Sequence, residues 1–248
     1  MEEKKLVYCF LTYDNLVRTD IWEKYFQYEN KYKVFIHSKE EIYPYNYTFP
    51  VNIIENRVYT KSKSDISIVS ATLHLLREAY EKTPEGSHFI FLTQSCIPLY
   101  NFEKHYKLIT KMDKSCVSIK LHNKMERYFS LSLFLKMNIK SHQFVKQQPN
   151  MILTREDVKW FLDNMYIDDF KNMECPDEHY FVNLFLYVYK RDFMKQQINY
   201  CNIHLDRTQA ETFYNIDKHC VIRARIIGSL FMRKASRFSK IDEKFILE

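Results

Sequence analysis

Glycine is nearly absent from this chain of 248 residues, which contains only Gly86 and Gly228. Two glycines so far apart cannot form a G-x-G-x-x-G dinucleotide fingerprint or a Walker A loop. The sequence therefore excludes ordinary dinucleotide dehydrogenases and P-loop kinases. If a phosphate group is bound, basic side chains, a helix N-terminus or a metal ion must hold it.

Metal-binding patterns are missing as well. No Asp-x-Asp occurs, and the adjacent Asp168 and Asp169 point in different directions on a helix or a strand. A carboxylate-held Mg²⁺ or Mn²⁺ on a diphosphate therefore lacks its usual local signature, which leaves guanidinium and ammonium groups to neutralise such a group. The six cysteines form neither a C-x-x-C pair nor a zinc-like spacing, so we expect them to be reduced and mostly packed.

Long apolar runs are also missing. Thr12, Asp14 and Asn15 interrupt the first apolar stretch before it reaches signal-peptide length, and no later stretch is long enough to span a membrane. This pattern predicts a soluble, cytoplasmic protein without a signal peptide or transmembrane anchor. The Lys-, Tyr- and Asn-rich composition indicates a microbial or viral source, with a virus-infected host cell as one setting.

Positive charge is in modest excess, with 37 basic against 31 acidic residues and a net charge of +6. Such an excess suits anionic ligands, including nucleotides. The basic residues concentrate near the C-terminus, where the apolar run Ile226 to Met232 interrupts them. The alternation in Gly228-Ser229-Leu230-Phe231-Met232-Arg233-Lys234 predicts a strand that ends in a basic loop. Because apolar residues lie between them, we expect Arg225 and Lys234 to be anchored and to converge on a fixed anion, whereas Arg237 and Lys240 fit a solvated tail.

Short buried strands alternate with amphipathic helices in the first half of the chain. The strands are predicted at Leu6 to Leu11, Tyr32 to Ile36, His88 to Leu92 and Cys116 to Ile119, and the helices at Asn15 to Tyr28, Ile66 to Lys82 and Phe102 to Thr110. This alternation predicts an α/β fold with a mostly parallel central sheet flanked by helices. Without a linker or repeat, residues 1–248 read as one domain.

Polar residues follow three of these strands, in Thr12-Tyr13-Asp14, His37-Ser38-Lys39 and Thr93-Gln94-Ser95-Cys96. In open α/β sheets the carboxyl ends of the strands present loops to ligands. Each segment alone fits an ordinary strand-to-helix turn, but the three together predict a binding crevice. The irregular passage from Leu121 to Pro149 is predicted to be an insertion that lines a site.

Two adjacent carboxylates, Asp177 and Glu178, follow Pro176 at the predicted start of a helix over Tyr180 to Tyr189. A proline and acidic side chains are favoured in a first helical turn, so this pattern fits either helix initiation or a catalytic base. Thr154 with Arg155, Glu156 and Asp157 predicts another helix start.

These segments, in order, resemble the core-2/I-branching glycosyltransferases, glycosyltransferase family 14, and most closely their plant and microbial branch. The resemblance runs from about residue 6 to 240. It rests on Phe10-Leu11-Thr12-Tyr13-Asp14, Val34-Phe35-Ile36-His37-Ser38-Lys39, Ser67-Ile68-Val69, Phe89 to Leu99, Arg127-Tyr128, Thr154-Arg155-Glu156-Asp157, Pro176-Asp177-Glu178-His179 and Phe231-Met232-Arg233-Lys234.

The resemblance implies a GT-A-like fold and inverting transfer of a sugar (GlcNAc, xylose or a related sugar) from a UDP-sugar to a hydroxyl of a glycan or glycoprotein. It implies no obligatory metal, no other cofactor and no nucleic-acid partner, while the sequence itself predicts no membrane span. Glu178 matches the general base of the family, while Asp177 is expected to cap the helix or orient its neighbours. Lys234 matches one member of the basic pair that stabilises the diphosphate, and Arg225 matches the other, with Arg223 as a rival.

The resemblance also implies two groups of binding residues. Donor-binding positions are Arg225, Lys234, Arg233, Thr12, His37, Ser67, Gln94 and Ser95, and acceptor-binding positions are Arg127, Asp177 and Asp206.

Departures from the family pattern leave the sugar and its acceptor open. Pro149-Asn150 stand where many relatives carry Gln-Trp, Arg207 replaces an aromatic residue, and Ser64-Asp65 replace a tryptophan-glycine pair. Two other readings also stay open: a catalytically silent glycan-binding or scaffold protein with this fold, and a metal-dependent nuclease. The oligomeric state is not specified by the sequence.

Overall fold

The protein, a computed structural model described over residues 3–62, 65–120, 131–201 and 210–247, is built around a six-stranded sheet of order β3-β2-β1-β4-β7-β6. Its strands are β1 Leu6–Thr12, β2 Tyr32–Ser38, β3 Asn52–Ile53, β4 His88–Thr93, β6 Cys116–Lys120 and β7 Lys146–Thr154. Smaller sheets contain β5 Ile97–Pro98, β8 Asn199–Tyr200 and β10 Phe231–Met232, and β9 Phe213–Ile216 and β11 Ala235–Ile241.

The α-helices are α1 Thr19–Tyr25, α2 Ser67–Glu81, α3 Phe102–Ile109, α4 Leu131–Met137, α5 Arg155–Asp163, α6 Ile167–Phe170, α7 Tyr180–Asn183, α8 Lys218–Ile226 and α9 Glu243–Ile246. Single 3₁₀ turns occur at Glu29–Lys31, Pro44–Asn46, Ser141–Gln143 and Pro176–Glu178, and a π-helix occurs at Leu184–Tyr189.

Strand β1 forms the centre of the main sheet. Its residues Leu6 to Phe10 are fully buried, and it pairs in parallel with β2 on one side and β4 on the other. An apolar strand of this kind is expected where helices cover both faces of a parallel sheet. The predicted strands and the mixed, mostly parallel α/β architecture are confirmed.

Strand β7 was not predicted, because the passage from Leu121 to Pro149 has no apolar alternation. The strand runs antiparallel to both β4 and β6. Its first half is polar, yet Gln147 and Asn150 are buried and hydrogen-bonded: the Gln147 Oε1 atom accepts from the Val182 amide at 2.7 Å. Buried polar side chains that find partners replace the apolar pattern on which strand prediction depends.

Two predicted helices also differ in the structure. The stretch from Asn15 to Tyr28 is helical only over α1, because Arg18 takes a left-handed conformation with φ 57° directly before the helix. The predicted helix from Tyr180 to Tyr189 is α7 followed by the π-helix. This wider segment packs aromatic side chains against α5, with the rings of Trp160 and Tyr189 stacked at 4.2 Å between centroids.

The chain returns to the main sheet near its C-terminus. Strand β10 pairs with β5 just after β4, and the Ala235 amide donates to the Ser95 carbonyl at 2.8 Å. Further along, Arg18 donates to the Ser239 carbonyl at 2.7 Å and Arg237 contacts Asp14 at 2.5 Å. These contacts draw residues 231–239 across the carboxyl ends of β1 and β4. The predicted strand followed by a basic loop is confirmed at Phe231–Met232.

A buried chain of hydrogen bonds supports this return. The Tyr8 and Tyr25 hydroxyls lie 2.5 Å apart, Tyr25 reaches His105 Nδ1 at 2.6 Å, and His105 Nε2 reaches the Leu230 carbonyl at 3.0 Å. Because a carbonyl only accepts, His105 donates from Nε2, Tyr25 donates to Nδ1, and Tyr8 donates to Tyr25. Burial lowers the pKa of His105 to about 3, so the ring stays neutral.

Within the residues that the structure describes, every helix falls short of the length and apolar character required to cross a membrane.

We predict that Tyr25→Phe lowers the free energy of unfolding by about 1–3 kcal/mol, because it leaves buried groups of Tyr8 and His105 without a partner. Urea unfolding at neutral pH measures the effect. Tyr45→Phe is the matched control, since Tyr45 is 79% exposed. Equal stability of the two variants would contradict a structural role for the hydrogen-bonded chain.

Candidate functional site

The carboxyl ends of β1, β2 and β4 meet at one edge of the main sheet, as the sequence predicted. Thr12 is paired with Ser38, and Leu11 with Thr93. Gln94 connects two of the polar loops: its Oε1 accepts from the Tyr13 amide at 2.6 Å and its Nε2 donates to Asp14 at 2.9 Å. The Thr12 hydroxyl is buried and has no hydrogen-bond partner among the described residues.

His37 lies at the end of β2 as a buried, neutral histidine. Its Nε2 accepts from the Val58 amide at 3.0 Å, which assigns the ring proton to Nδ1. Burial and the neighbouring His74 lower the pKa of His37 to about 4. Nδ1 has no partner among the described residues, so this ring presents an unused buried donor near the carboxyl end of β2.

Two further donor-binding candidates, Ser67 and Ser95, form hydrogen bonds with backbone groups. Ser67 begins α2, and its hydroxyl accepts from the Lys61 amide at 3.0 Å. Ser95 follows β4, where its carbonyl accepts from Ala235. Both residues therefore help to shape loops at this edge of the sheet.

The carboxylate pair lies on the 3₁₀ turn Pro176–Glu178, which follows Cys175 in a left-handed conformation with φ 52°. Glu178 forms an ion pair with Lys146 at the start of β7, and the two side chains are 23% and 16% exposed, respectively. The Glu178 side chain is thus mostly buried, and its Oε2 atom, next to Lys146, is completely covered.

Asp177 occupies a different environment from Glu178. Its Oδ1 is buried and has no hydrogen-bond partner among the described residues. Burial and the nearby Glu178 raise the pKa of Asp177 to about 7, against the opposing charges of Lys146 and Arg233. Helix α7 begins at Tyr180 with no side-chain cap, so the expectation that Asp177 caps a helix is wrong. The two adjacent carboxylates therefore have different neighbours, since Glu178 pairs with Lys146 while Asp177 Oδ1 has no hydrogen-bond partner among the described residues.

Arg233 is the basic residue that reaches this turn from the returning segment. Its positive charge opposes the rise in the pKa of both Asp177 and Cys96, so it lies near both side chains. Its Nε is buried and has no hydrogen-bond partner among the described residues. Lys234 is half-buried beside it, with its carbonyl accepting from the Phe213 amide at 2.8 Å.

Arg225 joins α8 to two neighbouring segments of the chain. Its guanidinium donates to the Leu99 carbonyl at 2.7 Å and to the Phe245 carbonyl at 2.6 Å, and it lies 4.5 Å from the centroid of the Tyr100 ring. The rival Arg223 is exposed on the same helix. A role for Arg225 toward a diphosphate stays a prediction. The predicted acceptor-binding residues Arg127 and Asp206 lie outside the described residues.

Sequence reasoning missed Lys146 and a group of polar side chains around Cys96. The Cys96 sulfur lies 3.4 Å from the Thr93 hydroxyl, 3.5 Å from Asn150 Nδ2 and 3.7 Å from Asn199 Nδ2. Burial raises the pKa of Cys96, so the thiol stays protonated. The signal for both features was the polar run from Lys146 to Asn150, read as an insertion rather than as a buried strand.

The described residues contain no group of three or more His, Cys, Asp or Glu side chains that could hold a metal ion.

Comparison with known proteins identifies the relationships of this chain. The model of the Core-2/I-Branching enzyme family matches residues 6–212, so Arg225, Arg233 and Lys234 follow the matched region. A rice protein, Glycosyltransferase BC10 from Oryza sativa subsp. japonica, is 28% identical over 130 residues, which are 50% of this chain and 32% of the rice protein. This chain therefore spans about a third of that relative.

Among solved structures, the apo form of the WbbM bifunctional glycosyltransferase matches 94% of this chain and 46% of its own chain, with a TM-score of 0.52 and 9% identity. At this identity the likeness shows a shared fold.

We predict that Asp177→Asn stabilises the protein at pH 8 and leaves its stability nearly unchanged at pH 3.5. The folded pKa of about 7 lies above the ordinary value of 3.8, so unfolding between these values releases a proton and stability falls as the pH rises. The gain at pH 8 is on the order of a few kcal/mol. Thermal unfolding at both pH values measures it.

Asp168→Asn is the control for this prediction, because the Asp168 side chain is 93% exposed. A gain at pH 8 that is no larger than that of the control would show that Asp177 is ionised without penalty in the folded state.

Proposed function

This chain belongs to the Core-2/I-Branching enzyme family, and from that membership we propose that it transfers a sugar from a UDP-sugar to a hydroxyl of a glycan or glycoprotein. The transfer is inverting and needs no metal ion. The sugar is a hexose or pentose derivative such as GlcNAc or xylose. The observation that supports this proposal best is the partly exposed Glu178, which pairs with Lys146 at the start of β7 and lies near a basic residue of the returning segment.

Glu178 is the proposed general base. Its carboxylate accepts the proton of the acceptor hydroxyl while that oxygen forms a bond to the anomeric carbon. The bond from the anomeric carbon to the diphosphate oxygen breaks on the opposite face, and UDP leaves with its electron pair. Glu178 is preferred to Asp177 in this proposal because it matches the position of the general base in the family resemblance, and because Lys146 pairs with its carboxylate.

Basic side chains of the returning segment are proposed to stabilise the leaving diphosphate. Arg233 already faces the carboxylates of the turn, and Lys234 follows it directly. Preorganised charge at the position where charge develops is commonly the largest contribution to catalysis. Arg225 contributes in this proposal by fixing α8 to neighbouring segments. The UDP affinity of an Arg225 variant tests for a direct contact with the diphosphate.

The donor nucleotide is proposed to lie along the carboxyl ends of β1, β2 and β4. Thr12 and His37 offer buried polar atoms that have no partner among the described residues. Gln94, Ser67 and Ser95 shape the neighbouring loops. Arg127, Asp177 and Asp206 remain the proposed acceptor-binding residues, with Asp177 adjacent to the base.

We predict that UDP release from a panel of UDP-sugars, measured with and without glycan acceptors, survives EDTA and falls by about 10²–10⁴-fold in Glu178→Gln. Glu174→Gln is the matched control, since Glu174 is exposed four residues earlier on the same segment. Activity that depends wholly on a divalent ion would contradict the metal-independent mechanism. Binding of a glycan without turnover of any donor would favour the catalytically silent reading.

We predict that Arg233→Met and Lys234→Met each weaken UDP binding by at least tenfold, because each removes a charge-assisted contact to the diphosphate. Arg225→Met is expected to lower the melting temperature more than it lowers UDP affinity, since its guanidinium holds carbonyls of two other segments. Calorimetric titration with UDP and thermal unfolding separate the two effects. Lys240→Met is the control, because Lys240 is exposed on β11 and has no proposed role in binding.

A further inference from the structure

Lys146 differs from the other lysines that form ion pairs in the described part of the chain. Its side chain is 16% exposed and that of its partner Glu178 is 23% exposed, whereas Lys24, Lys82, Lys114, Lys136, Lys159 and Lys171 are each 43% exposed or more. Charges removed from water interact more strongly than exposed ones, because solvent screens them less. Solvent therefore screens the ion pair between Lys146 and Glu178 less than it screens the other lysine ion pairs.

The backbone on both sides of this pair is well anchored. Lys146 begins β7, which pairs with β4 and β6 in the main sheet. The adjacent Gln147 accepts from the Val182 amide at 2.7 Å, and Asn183 accepts from the Val145 amide at 3.0 Å. These bonds connect the start of β7 to the segment after the carboxylate turn. These backbone contacts fix the positions of Lys146 and Glu178 relative to each other.

Four charged groups meet at the turn. Glu178 and Asp177 come from the turn itself, Lys146 from β7 and Arg233 from the segment after β10. Helix α2 also packs against the turn, but its titratable groups have other partners. The His74 ring lies against His37, Arg77 donates to the Leu162 carbonyl, and Glu78 pairs with Lys82.

We propose that Lys146 is a positioning residue that serves as counter-ion to the carboxylates of the turn and holds the Glu178 carboxylate in place for its role as base. The inference rests on the proposed function of Glu178. Without Lys146, two carboxyl groups on adjacent residues would lie close together with one nearby cation fewer, and their mutual repulsion would be less well balanced. The ammonium of Lys146 offsets this repulsion and restricts the Glu178 side chain.

Acceptor binding gives this arrangement a further consequence. The acceptor hydroxyl must take one lone pair of the Glu178 carboxylate, while Lys146 remains on the other. A charge-assisted hydrogen bond from Lys146 keeps the carboxylate in one rotamer as the proton arrives. An arginine in the same place carries the same charge and is expected to preserve this function in part, whereas methionine retains similar side-chain bulk and removes the charge.

The experiment compares the parent protein with Lys146→Met and Lys146→Arg through the pH dependence of kcat/KM for sugar transfer. Lys146→Met is expected to move the acid limb of the profile upward by about one pH unit or more, and Lys146→Arg to move it back. Lys136→Met is the control, because Lys136 forms an exposed ion pair with Asp169 that lies apart from the turn. The control is expected to leave the limb in place.

A second measurement decides the inference whether or not a donor sugar has been found. Carboxyl ¹³C resonances of labelled aspartate are titrated in the parent and in Lys146→Met, and Asp177 is assigned as the signal lost in Asp177→Asn. Loss of the nearby ammonium is expected to shift the Asp177 titration to higher pH. An unmoved Asp177 titration, or a lower kcat with an unmoved acid limb, would overturn the inference and leave Lys146 a structural residue.

The two hypotheses fail in different ways. A parent protein that turns over no sugar nucleotide would contradict the proposed function, and the ¹³C titration would still accept or reject the role of Lys146. An active parent whose Lys146→Met variant titrates unchanged would contradict only the inference.

Discussion

The candidate site depends on the return of residues 231–239 to the carboxyl ends of β1 and β4. The strands provide polar loops, and the turn at Pro176–Glu178 provides two carboxylates. Arg233, a cation near Asp177, lies on the returning segment. Hydrogen bonds from Ala235 to Ser95 and from Arg18 to Ser239 hold that segment in place. A chain with only two glycines, far apart in sequence, cannot form a glycine-rich phosphate-binding loop. Charged side chains at the sheet edge are the alternative way to bind a phosphate.

The sequence predicted the parts of the fold that follow simple periodicity. Buried runs such as Leu6 to Leu11 and the amphipathic pattern around α2 indicated their strand and helix because burial selects apolar residues. Strand β7 escaped prediction since Gln147 and Asn150 are buried through hydrogen bonds rather than apolar packing. The π-helix also escaped, because no spacing rule separates it from an α-helix, and its geometry depends on packing against Trp160.

For the site, the sequence indicated which residue types were present but not their partners. Asp177 and Glu178 are adjacent carboxylates in the sequence, and only the structure shows that Glu178 pairs with Lys146 while burial and Glu178 raise the pKa of Asp177. Arg225 and Arg233 likewise share a chemistry, yet one guanidinium is bound to backbone carbonyls of Leu99 and Phe245 while the other faces a carboxylate. Such assignments depend on contacts between distant segments, which local patterns do not encode.

The ion pair between Asp14 and Arg237 joins residues 223 positions apart. A contact of such high sequence separation closes a very large loop, and the entropy of that closure opposes its early formation. The sheet can therefore assemble from β1, β2 and β4 before the site exists, and the charged groups meet only in the last stage of folding. We therefore expect secondary structure to recover ahead of the site when the protein refolds, because the paired strands of the sheet lie closer together in sequence than Asp14 and Arg237 do.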